Sequence, residues 1–579
     1  MYYGGPNGAP CAARIIRADM QVEKVEAGEI SLSSAIFLMV FVVSTAFFFA
    51  VLQGSGIAGR WVSSAPILAV VASLLVTKCT APAHFMRSAF LGIALVILSL
   101  ALSNIYFDFS NDGIGYHAEA IIELASRFDF FKSTLHGSYG IYTNNYPKLA
   151  WFYGAAIFRL SGNMELAKSI NFLLFFAVAL VALSVTRRLR ADARVLVCVG
   201  VAANPVVLTQ LFTHYVDGCM ASFLAIQILS LYGFFRVAPS RNLLLAFGLS
   251  LIGCAALKHT GLVFSTISAM AFIALAWRGK TALKPYLFPW WRITGLALVG
   301  AVLCANPYAK NLIEGHHIFY PSMGKGRVEN LISAQTTPEF YSLDRFSQVA
   351  LSVFGKTSNE SPSDPVTPRL PELKLPFSMT DAEMSFAGAA DVRWGGWGPL
   401  FGGACVVALA FGLLSLRALR PEAPLLLLVL VLCFISPESW WARLNPQVYL
   451  LVALAGALAL TRHRFAGYAI CLILIANSAV VEYSALTIAR NGNAYLHQAV
   501  NELTSNGQEP VYWRRHGISL GPMFDRFRVR VINDSPCDGK SCKNFKCKSI
   551  IWNSLVCVKD QPSDDIPASR KATATVATN

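Results

Sequence analysis

Charge is scarce in this chain. Asp, Glu, Lys and Arg make up 14% of its 579 residues, where a soluble domain carries about 25%. Hydrophobic residues fill 55% of the positions, and the mean hydropathy is +0.51. A disordered chain, a small disulfide scaffold and a cytosolic enzyme are thereby excluded, and a bilayer is the expected solvent for most of the chain. Other signals are missing too. The first apolar run is too long for a signal peptide and lacks a small-residue cleavage site. No paired C-x2-C spacing marks a zinc site. There is no clear internal repeat, and few charges sit in the middle of apolar runs, which argues against a transporter. The net charge of +15 comes without a basic stripe interleaved with aromatics, so it reads as topology and not as nucleic-acid binding.

A membrane helix needs about 20 apolar residues. Thirteen stretches qualify, near 31–52, 61–79, 88–105, 166–185, 194–213, 218–235, 242–257, 260–277, 289–305, 396–416, 423–437, 444–461 and 465–485. One set of short loops holds Lys78, Arg87, Arg187, Arg188, Arg190, Arg194, Arg236, Arg241, Arg278, Lys280, Lys284, Arg292, Arg417, Arg420, Arg462 and Arg464. The opposite short loops hold little beyond Arg60, Lys258 and Arg443. This asymmetry predicts a cytoplasmic N-terminus and an outer C-terminus. The expectation is an all-α polytopic membrane protein of about 13 spans. Residues 1–30 form an inner tail, 31–485 the membrane module, 486–560 a small α/β domain, and 561–579 a Ser-, Thr-, Ala- and Pro-rich disordered tail. Two long outer loops, 106–165 and 306–393, interrupt the module. Within the first, 116–128 and 146–162 read as interfacial helices.

The C-terminal part holds Cys537, Cys542, Cys547 and Cys557. An outer compartment favours disulfides among them, with three possible connectivities. The other cysteines lie in spans or near the N-terminus, as small apolar residues.

The strongest chemical signal follows the third span, in NIYFDFSNDGIGYHAEA. Asp108 and Asp112 leave the membrane there, followed by Tyr116, His117, Glu119 and Glu123. Asp217 (in THYVDG), Lys258 and His259 (in ALKHTG), Lys310 (in NPYAKN) and Arg443 (in WWAR) are expected at span ends on the same side. Charges at such depth are costly unless paired or wet, so their convergence predicts a polar cavity. Taken in order, NDGIGYHAEAIIELASRFDF, NNYPKLAWFYGAAIFRLSGNMELAKSINFLL, YVDG, ALKHTGLVF and NPYAKNLIEGHHIFYP resemble the outer-edge elements of the GT-C class of integral-membrane glycosyltransferases. The resemblance runs from about Leu91 to Glu482, nearest to relatives of lipid A aminoarabinose transferase and protein O-mannosyltransferase. Asp112 matches the leading aspartate of the class's first outer loop and Tyr116 its tyrosine. A second acidic residue often follows that aspartate; here Gly113 stands in its place.

The resemblance implies transfer of a sugar from a polyprenyl-phosphate donor to a hydroxyl of a glycan, lipid or protein acceptor, at the outer face of a bacterial inner membrane. An acceptor hydroxyl needs a carboxylate to take its proton. Asp112 is the candidate base, with Asp108 and Asp217 as the further catalytic candidates. A phosphate leaving group needs fixed cations, for which Lys148, Lys258 and Arg443 are the candidates, and Lys148 also fits an interfacial anchor. Tyr116, His117, His259 and Lys310 complete the candidate substrate-binding set. No cofactor and no metal ligand is assigned; a divalent ion would need Asp112, Asp108 and Asp217 brought together. Trp394, Trp397 and Tyr320 fit either sugar stacking or an aromatic belt. The rival readings are an O-antigen ligase or polymerase, leaning on His316 and the arginines of the late loop, and a transporter of lipid-linked sugar.

Overall fold

The computed structural model describes residues 11–56, 61–129, 134–136, 140–281, 283–328, 336–359, 370–504, 511–514, 517–529, 531–532, 545–551 and 554–559. The chain divides into two compact units, 1–491 and 492–579.

Helices α1 (Cys11–Gly54), α2 (Ala65–Thr80) and α3 (Phe85–Ser103) open the first unit. α1 begins well inside the stretch expected to be a tail. α2 and α3 bury small residues one turn apart: Ala65, Ala69, Ser73 and Thr77 in one, Ser88, Gly92, Val96, Ser99 and Ser103 in the other. Lipid tails are as apolar as leucine, so helices associate there by close backbone approach. Gly92 allows it, since a Cβ would fall 2.5 Å from the Phe37 ring. The far faces expose Leu75, Phe90 and Ile97.

A widened helical turn, Gly113–Ala118, runs into α4 (Glu119–Ser126); α5 (Gly140–Asn144) and α6 (Leu149–Ser161) follow. The interfacial reading of 146–162 needs correction. α6 is buried throughout Leu149–Ile157 and packs on α1 and α4, so its apolar faces meet protein and not headgroups. After α7 (Ser169–Val185), the stretch 194–213 is two helices, α8 (Ala191–Ala202) and α9 (Pro205–Gln210). Pro205 has no N–H to donate and forces Asn204 out of helical geometry. Protein groups satisfy the broken backbone, as they must at membrane depth. Asn204 accepts from the Val206 N–H at 3.1 Å and donates to the Pro446 carbonyl at 3.0 Å, and Ser478 Oγ donates to the Ala203 carbonyl at 2.6 Å.

α10 (Asp217–Tyr232), α11 (Arg241–Ala255), α12 (His259–Arg278) and α13 (Trp290–Cys304) precede the long connection. That connection is partly built of α14 (Lys310–Ile313), α15 (Pro338–Tyr341), α16 (Arg345–Phe354) and α17 (Asp381–Ala387). α18 (Phe401–Leu414), α19 (Ala423–Phe434), α20 (Gln447–Arg462) and α21 (Arg464–Thr504) follow. Among the described residues, eight helices are long and apolar enough to cross a membrane, while α11, α18, α19 and α20 are apolar but shorter. Eight of the thirteen stretches expected from the sequence thus meet the length of a full span, and the other five fall on the shorter α8–α9, α11, α18, α19 and α20. α10 is the most enclosed of the eight, with 89% of its most apolar window buried against 72% or less in the others.

Trp394 and Trp397 are 3% and 0% exposed. Trp394 packs with Phe340, Trp440, Trp441 and Leu444, and the Trp397 indole donates to the Asn445 carbonyl at 3.1 Å. Both are core residues, which corrects the sugar-stacking and belt readings alike. In the second unit, β1 (Val511–Arg514), β2 (Val531–Ile532), β3 (Phe545–Ile551) and β4 (Ser554–Lys559) form one sheet in the order β2-β1-β4-β3, and α22 (Gly517–Asp525) lies between β1 and β2 in the chain. β1 and β2 are parallel; β1–β4 and β3–β4 are antiparallel, with Cys547 opposite Cys557. Cys557 is disulfide-bonded. Cys537, Cys542 and the 561–579 tail lie outside the described residues.

Gly261 sets the crossing of α11 and α12, because a Cβ there would lie 2.0 Å from the Cys254 carbonyl oxygen. Helix propensity favours Gly→Ala by about 1 kcal/mol. Overpacking against backbone costs about 1–3 kcal/mol, and a rigid carbonyl cannot move aside, so packing should win. Gly261→Ala is expected to lower the unfolding temperature in detergent.

Candidate active site

The helix ends gather the charged residues. α10 begins at Asp217, where the positive end of the helix dipole favours a carboxylate. Asp217 is 2% exposed and pairs with Lys258, the residue before α12. Arg443 lies in the short turn Ala442–Leu444 between α19 and α20. Its guanidinium donates to Asp391 Oδ1 at 2.7 Å and to Asp112 Oδ2 at 2.8 Å, while Nε lies 3.4 Å from Asp217 Oδ2. The rings of Tyr215 and Trp441 flank it, with centroids 5.0 and 4.9 Å from Cζ. Such faces attract cations. Three carboxylates against Arg443 and Lys258 leave one negative charge among these five groups when all are ionised, and Arg393 adds a further positive charge within reach of Asp391.

Asp112 and Asp391 are the open members, at 22% and 29% exposure. The Asp112 N–H donates to the Tyr215 hydroxyl at 3.3 Å. Burial pushes the Asp391 carboxyl up to about 6; Arg443 opposes the rise and Asp112 adds to it. The sequence reading missed Asp391, Tyr215 and Trp441. Tyr215 and Trp441 lie within the quoted THYVDG and WWAR, whereas nothing distinguishes Asp391 in AADVRWGG from a solvated loop carboxylate. Its place comes from the tertiary bonds of its loop. The Gly388 N–H donates to Ser484 Oγ at 2.9 Å, the Trp441 indole to the Val392 carbonyl at 2.8 Å, and the Leu400 N–H to Asn477 Oδ1 at 2.9 Å.

Asp108 stands apart. It is 1% exposed and accepts from the Ser110 N–H (2.7 Å), Ser110 Oγ (2.6 Å), the His214 N–H (2.6 Å) and His214 Nδ1 (2.8 Å). Burial alone would raise its carboxyl, but His214, Lys168 and Ser110 bring it below the ordinary carboxylate range. This is a staple between two loops and not a proton acceptor. It also accounts for Gly113. A Cβ at 113 would fall 2.2 Å from both Asp108 Oδ2 and Ser110 Oγ, so no acidic side chain fits there.

The other candidates line an aromatic wall. His117 is 1% exposed and its Nδ1 accepts from the Trp151 indole at 2.8 Å. Burial pushes its imidazole down to about 3, so at neutral pH it bears no charge. Its ring centroid lies 4.2 Å from that of Tyr116 and 6.0 Å from those of Tyr146 and Tyr215. Tyr146 stacks on Trp151 at 5.1 Å. Lys148 is 2% exposed, which excludes an anchor in headgroups. It donates to the carbonyls of Asn144 (3.1 Å) and Tyr146 (2.8 Å) and to Asn306 Oδ1 (2.7 Å). All three are neutral acceptors. Burial pushes its ammonium well below the ordinary lysine range, and Lys310 adds to that. His259 Nε2 bonds the Asn145 carbonyl at 2.8 Å, and Lys310 pairs with Glu314 at 3.2 Å. The fold thus brings Asp112, Asp217, Lys258 and Arg443 together, sets Tyr116, His117, Lys148 and His259 along one wall, and gives Asp108 and Lys310 other partners.

As arranged, these residues do not fit a divalent ion. Among the described residues no three of His, Cys, Asp and Glu converge on a common point, and the oxygens of Asp112, Asp217 and Asp391 face a guanidinium.

No protein-family model and no curated protein matches the chain. Among solved structures it is similar to ArnT from Cupriavidus metallidurans bound to undecaprenyl phosphate, at 13% identity over 77% of this chain and 85% of that one, with a TM-score of 0.41. The apo state of that protein gives 12%, 76%, 88% and 0.41. Likeness at that level carries no weight for the chemistry, which rests on the residues themselves.

Removing one partner of a buried ion cluster costs about 3–5 kcal/mol, because the charges left behind lose their counter-ion. Arg443→Ala is expected to cost about that much by thermal unfolding in detergent. Arg443→Lys should recover only part of it, since an ammonium lacks the planar fork that meets two carboxylates at once.

Proposed function

We propose that this chain is a GT-C-type membrane glycosyltransferase. It would move a sugar from a polyprenyl-phosphate carrier to an acceptor hydroxyl on a glycan, lipid or protein. The observation that carries this reading is the set of Asp112, Asp217 and Asp391 around Arg443, with Lys258 beside it, at one end of an apolar helical bundle. A partly open carboxylate beside a wall of tyrosines, with a buried ammonium set in that wall, is what transfer from a lipid phosphate requires.

Roles follow from who is already paired. Asp112 is open on one side and takes the acceptor proton as the hydroxyl oxygen attacks the anomeric carbon. The C–O bond to phosphate breaks, and its electron pair leaves with the polyprenyl phosphate; attack from the far side inverts the centre. Arg443 and Lys258 already face carboxylates, so their part is to position Asp112 and Asp217. Lys148 donates to neutral oxygens, so a leaving phosphate would give it an anionic partner and favour its charged form. The distribution of Lys and Arg supports placing this end outside a bacterial inner membrane, with the N-terminus in the cytoplasm and the C-terminal unit in the periplasm.

The ligase reading relied on His316 and late-loop arginines. His316 stacks on Tyr320 at 4.1 Å, and Arg345 donates to the Phe434 carbonyl at 3.1 Å; neither bond reaches the carboxylate cluster. In purified protein supplied with polyprenyl-phosphate sugars, Asp112→Asn should lower transfer by about 10²–10⁴-fold, the usual worth of a general base, and His316→Ala should leave most of it. The reverse pattern favours the ligase. Movement of lipid-linked sugar across liposomes with no glycosidic bond formed favours the transporter. Mass spectrometry of envelope glycans with and without the protein identifies donor and acceptor.

A pH dependence follows as well. With its carboxyl raised to about 6, Asp391 takes up a proton as pH falls from 7 to 5, and Arg443 then loses one charged partner. Transfer rates should drop through about pH 6 on the acid side, and Asp391→Asn should remove that limb from the pH–rate profile.

A further inference from the structure

The segment 373–379 reverses the polarity of an ordinary loop. Leu373, Leu375, Phe377 and Met379, at every second position, are 59%, 78%, 51% and 38% exposed. Between them Lys374 turns inward, 7% exposed, onto Glu383, which is 2% exposed, and onto the Pro399 carbonyl at 2.7 Å. Backbone bonds fix the segment: the Lys356 N–H donates to the Glu372 carbonyl at 2.7 Å and the Lys374 N–H to the Phe354 carbonyl at 3.1 Å. From Leu373 onward, a held extended segment with its lysine inside and its large apolar side chains outside fits an apolar surrounding; Glu372, just before it, is 64% exposed and pairs with Lys356 at 2.7 Å.

Its level is set by two helix ends. The Phe377 ring covers Gly403 in the first turn of α18, where a Cβ would fall 2.3 Å from it. Nearby on α16, Phe346 is 71% exposed and stacks on Phe434, the last residue of α19, at 6.4 Å. Both ends belong to the side that bears Asp391 and Arg443. The outward residues Leu409, Leu413, Leu427 and Leu430 continue the same apolar surface along α18 and α19.

We propose that 373–379, together with Phe346, is a strap seated in the headgroup–acyl boundary of the bilayer leaflet on the site's side, its apolar side chains among the lipid chains. The occupant is lipid because 373–379 prolongs the outward wall of two apolar helices and its exposed large side chains carry no charge, while the exposed Glu372–Lys356 pair just before it marks the water side of the strap. Through α17 and the Gly388–Ser484 bond it leads to Asp391, so the membrane helps to hold the loop that supplies the third carboxylate. This inference does not depend on the glycosyltransferase reading.

The test uses the full chain in lipid nanodiscs, with hydroxyl-radical footprinting of the native side chains and a photoactivatable diazirine phospholipid. Met323, 53% exposed beside exposed Lys325, is the solvent reference. Met379 should oxidise about tenfold or more slowly than Met323, as expected for side chains whose burial is favoured to that degree. Lipid adducts should fall on the peptide holding 373–379 and on Phe346. A Leu375→Asp, Phe377→Asp double variant should bring Met379 close to the Met323 rate with the thermal midpoint retained. Oxidation of Met379 as fast as Met323 in nanodiscs would overturn the proposal. So would protection without lipid adducts but with cross-links to a second copy or another protein.

Discussion

The structure depends on one guanidinium meeting three carboxylates at the end of a membrane bundle. Two unit charges about 4 Å apart attract by about 4 kcal/mol at an effective dielectric of 20, while taking each ion out of water costs several kcal/mol. The two nearly offset, so the cluster holds only when complete. Completeness is what the fold supplies. Asp112 and Arg443 are 331 residues apart in sequence, and Asp217 and Asp391 come from other connections still. The rings of Tyr215 and Trp441 flank the guanidinium, keeping it on the carboxylates without adding charge.

The surrounding fold positions those residues. α10 is almost wholly enclosed, so Asp217 at its start sits on a rigid support and on the favourable end of the helix dipole. Asp108 spends all its bonding capacity locally, tying the loop after α3 to the loop before α10. The widened turn Gly113–Ala118 begins where that carboxylate leaves no room for a Cβ. A substitution that looked like a missing catalytic carboxylate is thus the steric consequence of a structural one.

Lys148 poses the opposite problem from Arg443. It is buried against three neutral oxygens and the face of Trp151, and burial works against its charge. Groups in that state are costly to keep and gain most from an arriving anion. A lipid phosphate entering beside Tyr146 would relieve that cost, and so the resting strain at Lys148 and the proposed chemistry have one physical cause.

By itself the sequence determined the helical class, the apolar character of its spans and several of the charged residues that meet at one end of the bundle. Those follow from local quantities: apolar run length, scarcity of charge, and the placing of the few charges at the edges of apolar runs. Asp112, Asp217, Lys258 and Arg443 were legible because each charge sits at the edge of an apolar run. The tertiary structure alone decided that Asp391 joins them, that Asp108 does not, that His117 is a neutral acceptor for Trp151, and that Trp394 and Trp397 are core. It also divided 194–213 into two helices and drew α6 into the protein. These are outcomes of burial and of pairing between segments hundreds of residues apart, and no pattern within a single segment records which partner it will meet.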